Sequence, residues 1–326
     1  MNILVTGSSG FIGSHLTRAL RERGDRIVAL VHSPDKAEAL ERTGVEVLQG
    51  DLADTPSLEG IMDGIDAVYH LAALRGEGRG PREYYRKVNV YGTRALLEEA
   101  VKSGVRHFIY VSTVGVMGWV RKLPATEEHA CKPEGAYHET KLEAEKLALR
   151  YHRKEGLPVT VIRPTITYGP RDDGMLYKLA RLITKGRFHT IGSGENRMHL
   201  LYVENLVPAL LNALEEGRPR GETYIIADPE PITLNQLVSL VARCAGAPVP
   251  RHHIPVWLAR MAAEVSEASA LIGVNPIITK QSVDILVRDR CYSTEKARKK
   301  LVYRPAHTTE EGVKETVAWF KEHGKI

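Results

Sequence analysis

A glycine-spaced turn placed right after the first apolar run constrains this chain more than any other feature. Asn2–Thr6 reads NILVT, and Gly7-Ser8-Ser9-Gly10-Phe11-Ile12-Gly13 follows at once, opening a helical pattern over Phe11–Arg23. In a strand–turn–helix unit, Gly7 permits the tight turn and Gly13 lets helix and strand pack closely. Gly10 keeps the backbone bare, so that a pyrophosphate can approach the unpaired N–H groups of the helix N-terminus together with Phe11 and Ile12. Few folds use such a turn in that position.

The segments that follow keep the same rhythm. Short apolar runs at Ile27–Val31, Val45–Gln49, Ala67–His70, His107–Val111 and Val159–Arg163 alternate with helical patterns, the longest at Tyr84–Ser103 and Ala136–Lys154. Nearly continuous apolar runs separated by helices are what a parallel sheet buried on both faces requires, joined by right-handed crossovers. The expected class is therefore α/β, a doubly wound, Rossmann-type sheet over residues 1–165. After Pro164 the alternation breaks down. Residues 166–326 read mainly as a smaller, helix-rich substrate lobe, with segments near 198–226 and the C-terminus returning to the sheet domain.

Composition narrows the function classes. The 326 residues hold 45 basic and 40 acidic side chains, for a net charge of +5. Apart from Lys296–Lys300 the basic residues are dispersed, without the patch or aromatic platforms of a nucleic-acid surface. Cys131, Cys244 and Cys291 are odd in number and widely separated, which suits neither a metal site nor a disulfide framework. No apolar run is long enough for a membrane span, and, with the first strand starting at Asn2, no leader is expected. The expectation is a cytoplasmic protein that takes a small-molecule substrate and binds no metal.

The second strand ends at Val31, where an acidic residue would grip an adenosine ribose. His32 stands there instead, with Ser33 and Lys36 just beyond, a set that does not repel a 2'-phosphate and leans toward NADP over NAD. At the end of the third strand, Asp51 is placed to accept from an adenine amino group with Leu52 against the ring, or else to cap the next short helix. Tyr137 and Lys141 lie four residues apart on one helix face. A phenol alone is a poor base near neutral pH, but an adjacent ammonium favours the phenolate, and the two together suit proton exchange with a carbinol–carbonyl pair. Ser112 and Thr113 end the fifth strand, on the edge where a doubly wound sheet holds its ligand. One of these hydroxyls can orient a substrate oxygen or cap a local turn. Asn89, a poor helix former inside a long helix, reads as an anchor for a backbone group or water, or as a tolerated polar residue.

With these residues in view the chain resembles the extended short-chain dehydrogenase/reductase family over nearly its whole length. The likeness rests on Thr6 to Gly13, Gly50-Asp51-Leu52, His70-Leu71-Ala72-Ala73, Asn89-Val90-Tyr91-Gly92-Thr93, Tyr137 with Lys141, and Arg163-Pro164 with Tyr168-Gly169-Pro170. The resemblance implies that Tyr137 is the acid/base, that Lys141 holds the nicotinamide ribose and lowers the tyrosine pKa, and that Thr113 positions the substrate oxygen, with Ser112 beside it. It also implies that Leu71, Ala72 and Ala73 line a dinucleotide cleft, that Pro164 flanks the nicotinamide, and that the chain forms a homodimer through its two long helices. Ile191-Gly192-Ser193-Gly194, Leu201-Tyr202-Val203-Glu204-Asn205 and the ending Tyr303-Arg304-Pro305 are similar to the 3β-hydroxysteroid dehydrogenase and dihydroflavonol-reductase branch. The expected activity is NAD(P)-dependent interconversion of a secondary alcohol and a ketone on an apolar substrate, its pocket shaped by Met175–Arg197 and by Trp257, Leu258 and Met261. The alternatives are a nucleotide-sugar epimerase or dehydratase, toward which Arg197 points, and a non-catalytic dinucleotide binder.

Overall fold

A computed structural model describes residues 1–76, 80–268 and 279–326, with the side chains of Gln281 and Ile285 excepted. The chain divides into two units by its internal contacts. The first comprises Met1–Thr165, Val203–Ala227 and Ser293–Ala306; the second comprises Ile166–Tyr202, Asp228–Tyr292 and His307–Ile326. The terminal helix Thr309–Glu322 thus groups with the second unit.

The first unit is built on seven parallel strands: β1 (Asn2–Thr6), β2 (Arg26–Val31), β3 (Glu46–Gln49), β4 (Ala67–His70), β5 (His107–Val111), β6 (Val159–Pro164) and β7 (Glu222–Ile226). Their order across the sheet is β7-β6-β5-β4-β1-β2-β3. The chain runs outward from β1 in one direction and then restarts from β4 in the other, so β1 and β4 flank the point where crossovers switch faces. In open sheets of this kind, ligands bind at the carboxyl ends of the strands beside that point. All residues of β4 and β5 are buried, as the unbroken apolar runs require. One large cluster joins Leu4, Val28, Val68, Phe108, Val159 and Val161 to Leu96, Leu97, Ala144, Leu147 and Ala148 of the covering helices.

The helices preceding residue 165 are α1 (Phe11–Glu22), α2 (Pro34–Glu41), α3 (Arg82–Arg86), α4 (Gly92–Lys102) and α5 (Gly135–Glu155). The single helix expected over Tyr84–Ser103 is instead α3 and α4 joined by a π turn at Lys87–Tyr91. The apolar spacing continues through the turn, so the pattern could not disclose it. Its local partners are specific. The side chain of Asn89, within the turn, binds the backbone of Leu74 through both its oxygen and its nitrogen. Gly92 lies so close to Leu52 that an added Cβ would sit 2.5 Å from the Leu52 carbonyl oxygen.

Among the described residues, the second unit holds three two-stranded pairings and five helices, and within it Asp228 is fully buried. Its carboxylate accepts from the Tyr202 N–H at 2.8 Å, the Tyr168 hydroxyl at 3.1 Å and the Thr309 hydroxyl at 3.2 Å. Three distant segments therefore share one anchor, and a buried charge is tolerable because each oxygen is satisfied. Helix Val256–Ala268 exposes Trp257, Leu258 and Met261. Among the described residues, no helix is long and apolar enough to cross a membrane.

The glycine turn separates two physical roles that the sequence spacing gives equally. A Cβ at Gly13 would lie 2.0 Å from the Gly7 carbonyl oxygen, whereas one at Gly10 would meet that oxygen at 3.1 Å. Gly13→Ala is therefore expected to lower stability by about 3 kcal/mol or more, since only backbone can yield. Gly10→Ala is expected to cost less than about 1 kcal/mol. Urea unfolding of both variants without dinucleotide checks this; equal losses would contradict the assignment of Gly13 to helix–strand packing.

Candidate active site

The carboxyl ends of β1, β4, β5 and β6 carry Thr6, His70, Val111 and Pro164, and α5 brings Tyr137 and Lys141. Lys141 is 2% exposed. Its Nζ donates to the Val111 carbonyl at 2.7 Å and stands 4.2 Å from the centroid of the Tyr110 ring. Removal from water, partly opposed by Glu145, pushes this ammonium down to about 7. Tyr137 is half-buried, and burial raises its phenol above the ordinary value, opposed by Arg75. The expected depression of the tyrosine by Lys141 is thus not what this structure shows. The ammonium is turned to a carbonyl and to the Tyr110 ring, and it is the lysine whose pKa falls.

Thr113 precedes the 3-10 turn Val114–Met117, and its hydroxyl accepts from the Gly115 N–H at 3.1 Å. The lone pair left on Thr113 and its own proton are not consumed by that cap. Beside it, Ser112 is 4% exposed, and its Oγ has no hydrogen-bond partner among the described residues. Gly115 is required by His138, the residue after Tyr137: an added Cβ would lie 2.3 Å from the imidazole. This contact seats the first turn of α5 against the Thr113–Met117 segment, so that Tyr137, Lys141 and Thr113 belong to one packed corner.

A buried hydrogen-bond chain ties that corner to the glycine turn. The Ala72 N–H donates to Thr6 Oγ1 at 3.0 Å, and Thr6 Oγ1 is 2.7 Å from His70 Nδ1. His70 Nε2 is 2.8 Å from Thr93 Oγ1, which donates to the Asn89 carbonyl at 2.7 Å. Because Thr93 spends its proton on Asn89, His70 donates from Nε2 and accepts from Thr6 at Nδ1. A neutral ring is the form this chain needs. Burial, aided by the Lys141 charge, holds the imidazole there by lowering its pKa to about 3. The Asn89 side chain continues the line, donating at 3.0 Å to Thr140 Oγ1, which in turn donates to the carbonyls of Ala136 and Tyr137. Asn89 is therefore a backbone anchor, buried at 2% exposure.

The features of a dinucleotide site meet around the turn. Gly7 has φ of +74° and lies so close to Ala72 that a Cβ would sit 2.9 Å from its N–H. Gly10 heads α1, where no side chain caps the helix and no acidic residue occupies the first turn. Phe11 and Ile12 supply the first helical N–H groups, and Leu71, Ala72 and Ala73 are half-buried along the same edge. An uncapped helix end behind a bare glycine, with the orphaned Ser112 hydroxyl just past the end of β5, fits a bound dinucleotide. His32 and Lys36 are exposed, and Ser33 is the N-terminal cap residue of α2 without using its side chain as a cap. Asp51 is exposed, but one carboxylate oxygen accepts from the Ala53 N–H at 2.8 Å, the local turn bond. Leu52 packs into the main core at 7% exposure. Pro164 ends β6 and is buried.

Sequence reasoning gave no role to Glu145, Thr140, Thr93 or His138. Glu145 had a signal, the same four-residue step that joins Tyr137 to Lys141. The others are visible only once helix and strand are folded together.

Comparison with known proteins agrees with this geometry. Residues 3–227 match the NAD dependent epimerase/dehydratase family. A ketoreductase of Stigmatella aurantiaca acting on a farnesylated 3,4-dihydroquinoline-1-oxide is 31% identical over 319 residues, 96% of this chain and 95% of that protein. A 3 beta-hydroxysteroid dehydrogenase/Delta 5-->4-isomerase of Mycobacterium tuberculosis is 30% identical over 338 residues, 98% of this chain and 90% of its own length. Among solved structures, UDP-glucose 4-epimerase of Thermotoga maritima with UDP-glucose superposes with a TM-score of 0.83 at 29% identity, covering 99% of each chain. A seven-stranded parallel sheet, a glycine turn at its switch point and a tyrosine–lysine helix beside it, matched over more than half the chain, make this an enzyme of the NAD-dependent epimerase/dehydratase, or extended short-chain dehydrogenase/reductase, family.

Proposed function

We propose that this enzyme interconverts a secondary alcohol and a ketone on a small apolar, steroid- or flavonoid-like substrate, with Tyr137 as acid/base, Lys141 as ribose and charge partner, and Thr113 as the oxygen-positioning hydroxyl. The observation that carries the reading is the corner itself. Lys141 is fixed to the end of β5 by the Val111 carbonyl, while the Thr113 turn is seated against α5 by the Gly115–His138 contact. The dinucleotide supplies hydride chemistry when bound, and the protein supplies orientation and the proton. Gly7, Gly10, Gly13 and the start of α1 would hold the pyrophosphate, Asp51 the adenine edge, and Ser112, Pro164 and Leu71–Ala73 the nicotinamide half. Burial keeps the Tyr137 phenol protonated through the neutral range, which sets it as a donor to a carbonyl oxygen. The ketoreductase and hydroxysteroid dehydrogenase likenesses support an apolar ketone or alcohol.

The sugar-nucleotide reading draws on the UDP-glucose epimerase likeness. Its candidate diphosphate contact, Arg197, is exposed, with its guanidinium 3.8 Å from the Asp289 carboxylate. An electrostatic partner already stands where a substrate phosphate would have to compete, so the alcohol–ketone reading is preferred.

Three outcomes follow. Tyr137→Phe should retain dinucleotide binding while turnover falls roughly 10²–10⁴-fold; Lys141→Met should weaken both, and Thr113→Ala should lower kcat more than coenzyme affinity. Steady-state rates and dinucleotide titrations separate the roles, and near-wild-type turnover of Tyr137→Phe with chemistry rate-limiting would sink the proposal. Next, His32, Ser33 and Lys36 should let NADP serve at least as well as NAD; a hundredfold preference for NAD in kcat/KM would count against that reading. Finally, α4 and α5 suit a two-fold contact between copies. The intramolecular ion pairs Arg82–Glu139 and Arg86–Glu143 brace the helical segment before α4 against α5, and Tyr84 and Val101 are exposed. Sedimentation should show a dimer at micromolar concentration, and a monomer would contradict it.

A further inference from the structure

Tyr137, Lys141 and Glu145 follow one another at four-residue steps along α5, so they share a face. Glu145 is 2% exposed and Arg163 is 5% exposed. Arg163 Nε donates to Glu145 Oε2 at 3.0 Å, and Nη2 donates to Oε1 at 2.5 Å. The same Nη2 lies 3.3 Å from Cys131 Sγ. The site as described above makes no use of this buried pair, and a core ion pair is seldom worth its desolvation as stability alone. Its position gives it another use. It stands one helical turn beyond a buried ammonium whose nearest polar partner is a single carbonyl.

We infer that Glu145 is a positioning residue, whose carboxylate, anchored by Arg163, keeps the Lys141 ammonium charged in the apolar corner where it must act. The inference rests on the proposed role of Lys141. The groups facing Lys141 are Tyr137 and Glu145 on α5, Tyr110 on β5 and His70 on β4. His70 is neutral and both tyrosines are pushed toward the protonated phenol by burial, so Glu145 is the anion among these neighbours. In a medium of low dielectric a carboxylate one turn away favours the charged lysine substantially. Arg163 fixes the carboxylate's geometry and at the same time limits its field. Of the two partners it is the carboxylate, on the lysine's own helix face, that acts on Lys141 directly.

The test uses the full chain without coenzyme. The [13Cε]lysine NMR resonance of Lys141, identified by its absence in Lys141→Arg, is titrated in wild type, Glu145→Gln and Arg163→Gln. Glu145→Gln should lower the Lys141 midpoint by about one pH unit, and Arg163→Gln, which acts from farther off, should raise it by about half that amount. Glu145→Asp, which keeps the charge, should leave it nearer wild type. Midpoints that stay within about 0.3 units of wild type, or that move in the same direction in both variants, overturn the inference. If Glu145→Gln fails to fold, the double variant Glu145→Gln/Arg163→Gln, which leaves no unpaired buried charge, takes its place. It should still titrate below wild type, and an unmoved midpoint overturns the inference. Dinucleotide affinity of Lys141→Met, measured alongside, tells the two failures apart. If that affinity is unchanged, the ribose role of Lys141 fails, whatever the midpoints show.

Discussion

The site depends on an ammonium that the fold takes out of water. Lys141 reaches through the core to the last carbonyl of β5, and almost everything around it either makes that placement possible or makes use of it. The strand end supplies the acceptor, the Tyr110 ring supplies a π face, and Glu145 supplies a countercharge at one remove. A lysine held this way has few conformations left. Whatever it binds meets a preorganised donor instead of a flexible surface chain.

The same logic extends toward the glycine turn. Thr6, His70, Thr93, Asn89 and Thr140 form an uninterrupted line of hydrogen bonds from β1 to the first turn of α5. A neutral imidazole sits at its centre with its donor and acceptor sides assigned by its neighbours. Buried polar chains of this kind are costly when incomplete and specific when complete. This one sets the distance between the edge that suits pyrophosphate and the helix bearing the tyrosine. The π turn at Lys87–Tyr91 belongs to the same device, since it carries Asn89.

Much of this was legible in the sequence where the physics is local. Gly7 and Gly13 announce themselves because a left-handed φ and a 2.0 Å approach exclude every other residue, and β4 and β5 because strands covered on both faces are mostly apolar. Tyr137 and Lys141 were recognisable from helical spacing. The Glu145–Arg163 pair was not, because it joins a helix to a strand 18 residues later and charge alone names no partner. The direction of the Lys141 shift was likewise hidden. Spacing suggested that the ammonium would act on the phenol, whereas burial depth, a property of the fold, made the ammonium the group under strain.

The most direct measurement is the structure of the enzyme crystallised with NADP or NAD. The expected result places the pyrophosphate at the N-terminus of α1 over Gly10, Lys141 Nζ within hydrogen-bond distance of the nicotinamide ribose, and the Tyr137 hydroxyl facing the nicotinamide ring beside Thr113. A dinucleotide bound with its nicotinamide away from Tyr137, or with Lys141 still turned to Val111 and out of reach of the ribose, would contradict the assignment of this corner as the catalytic centre.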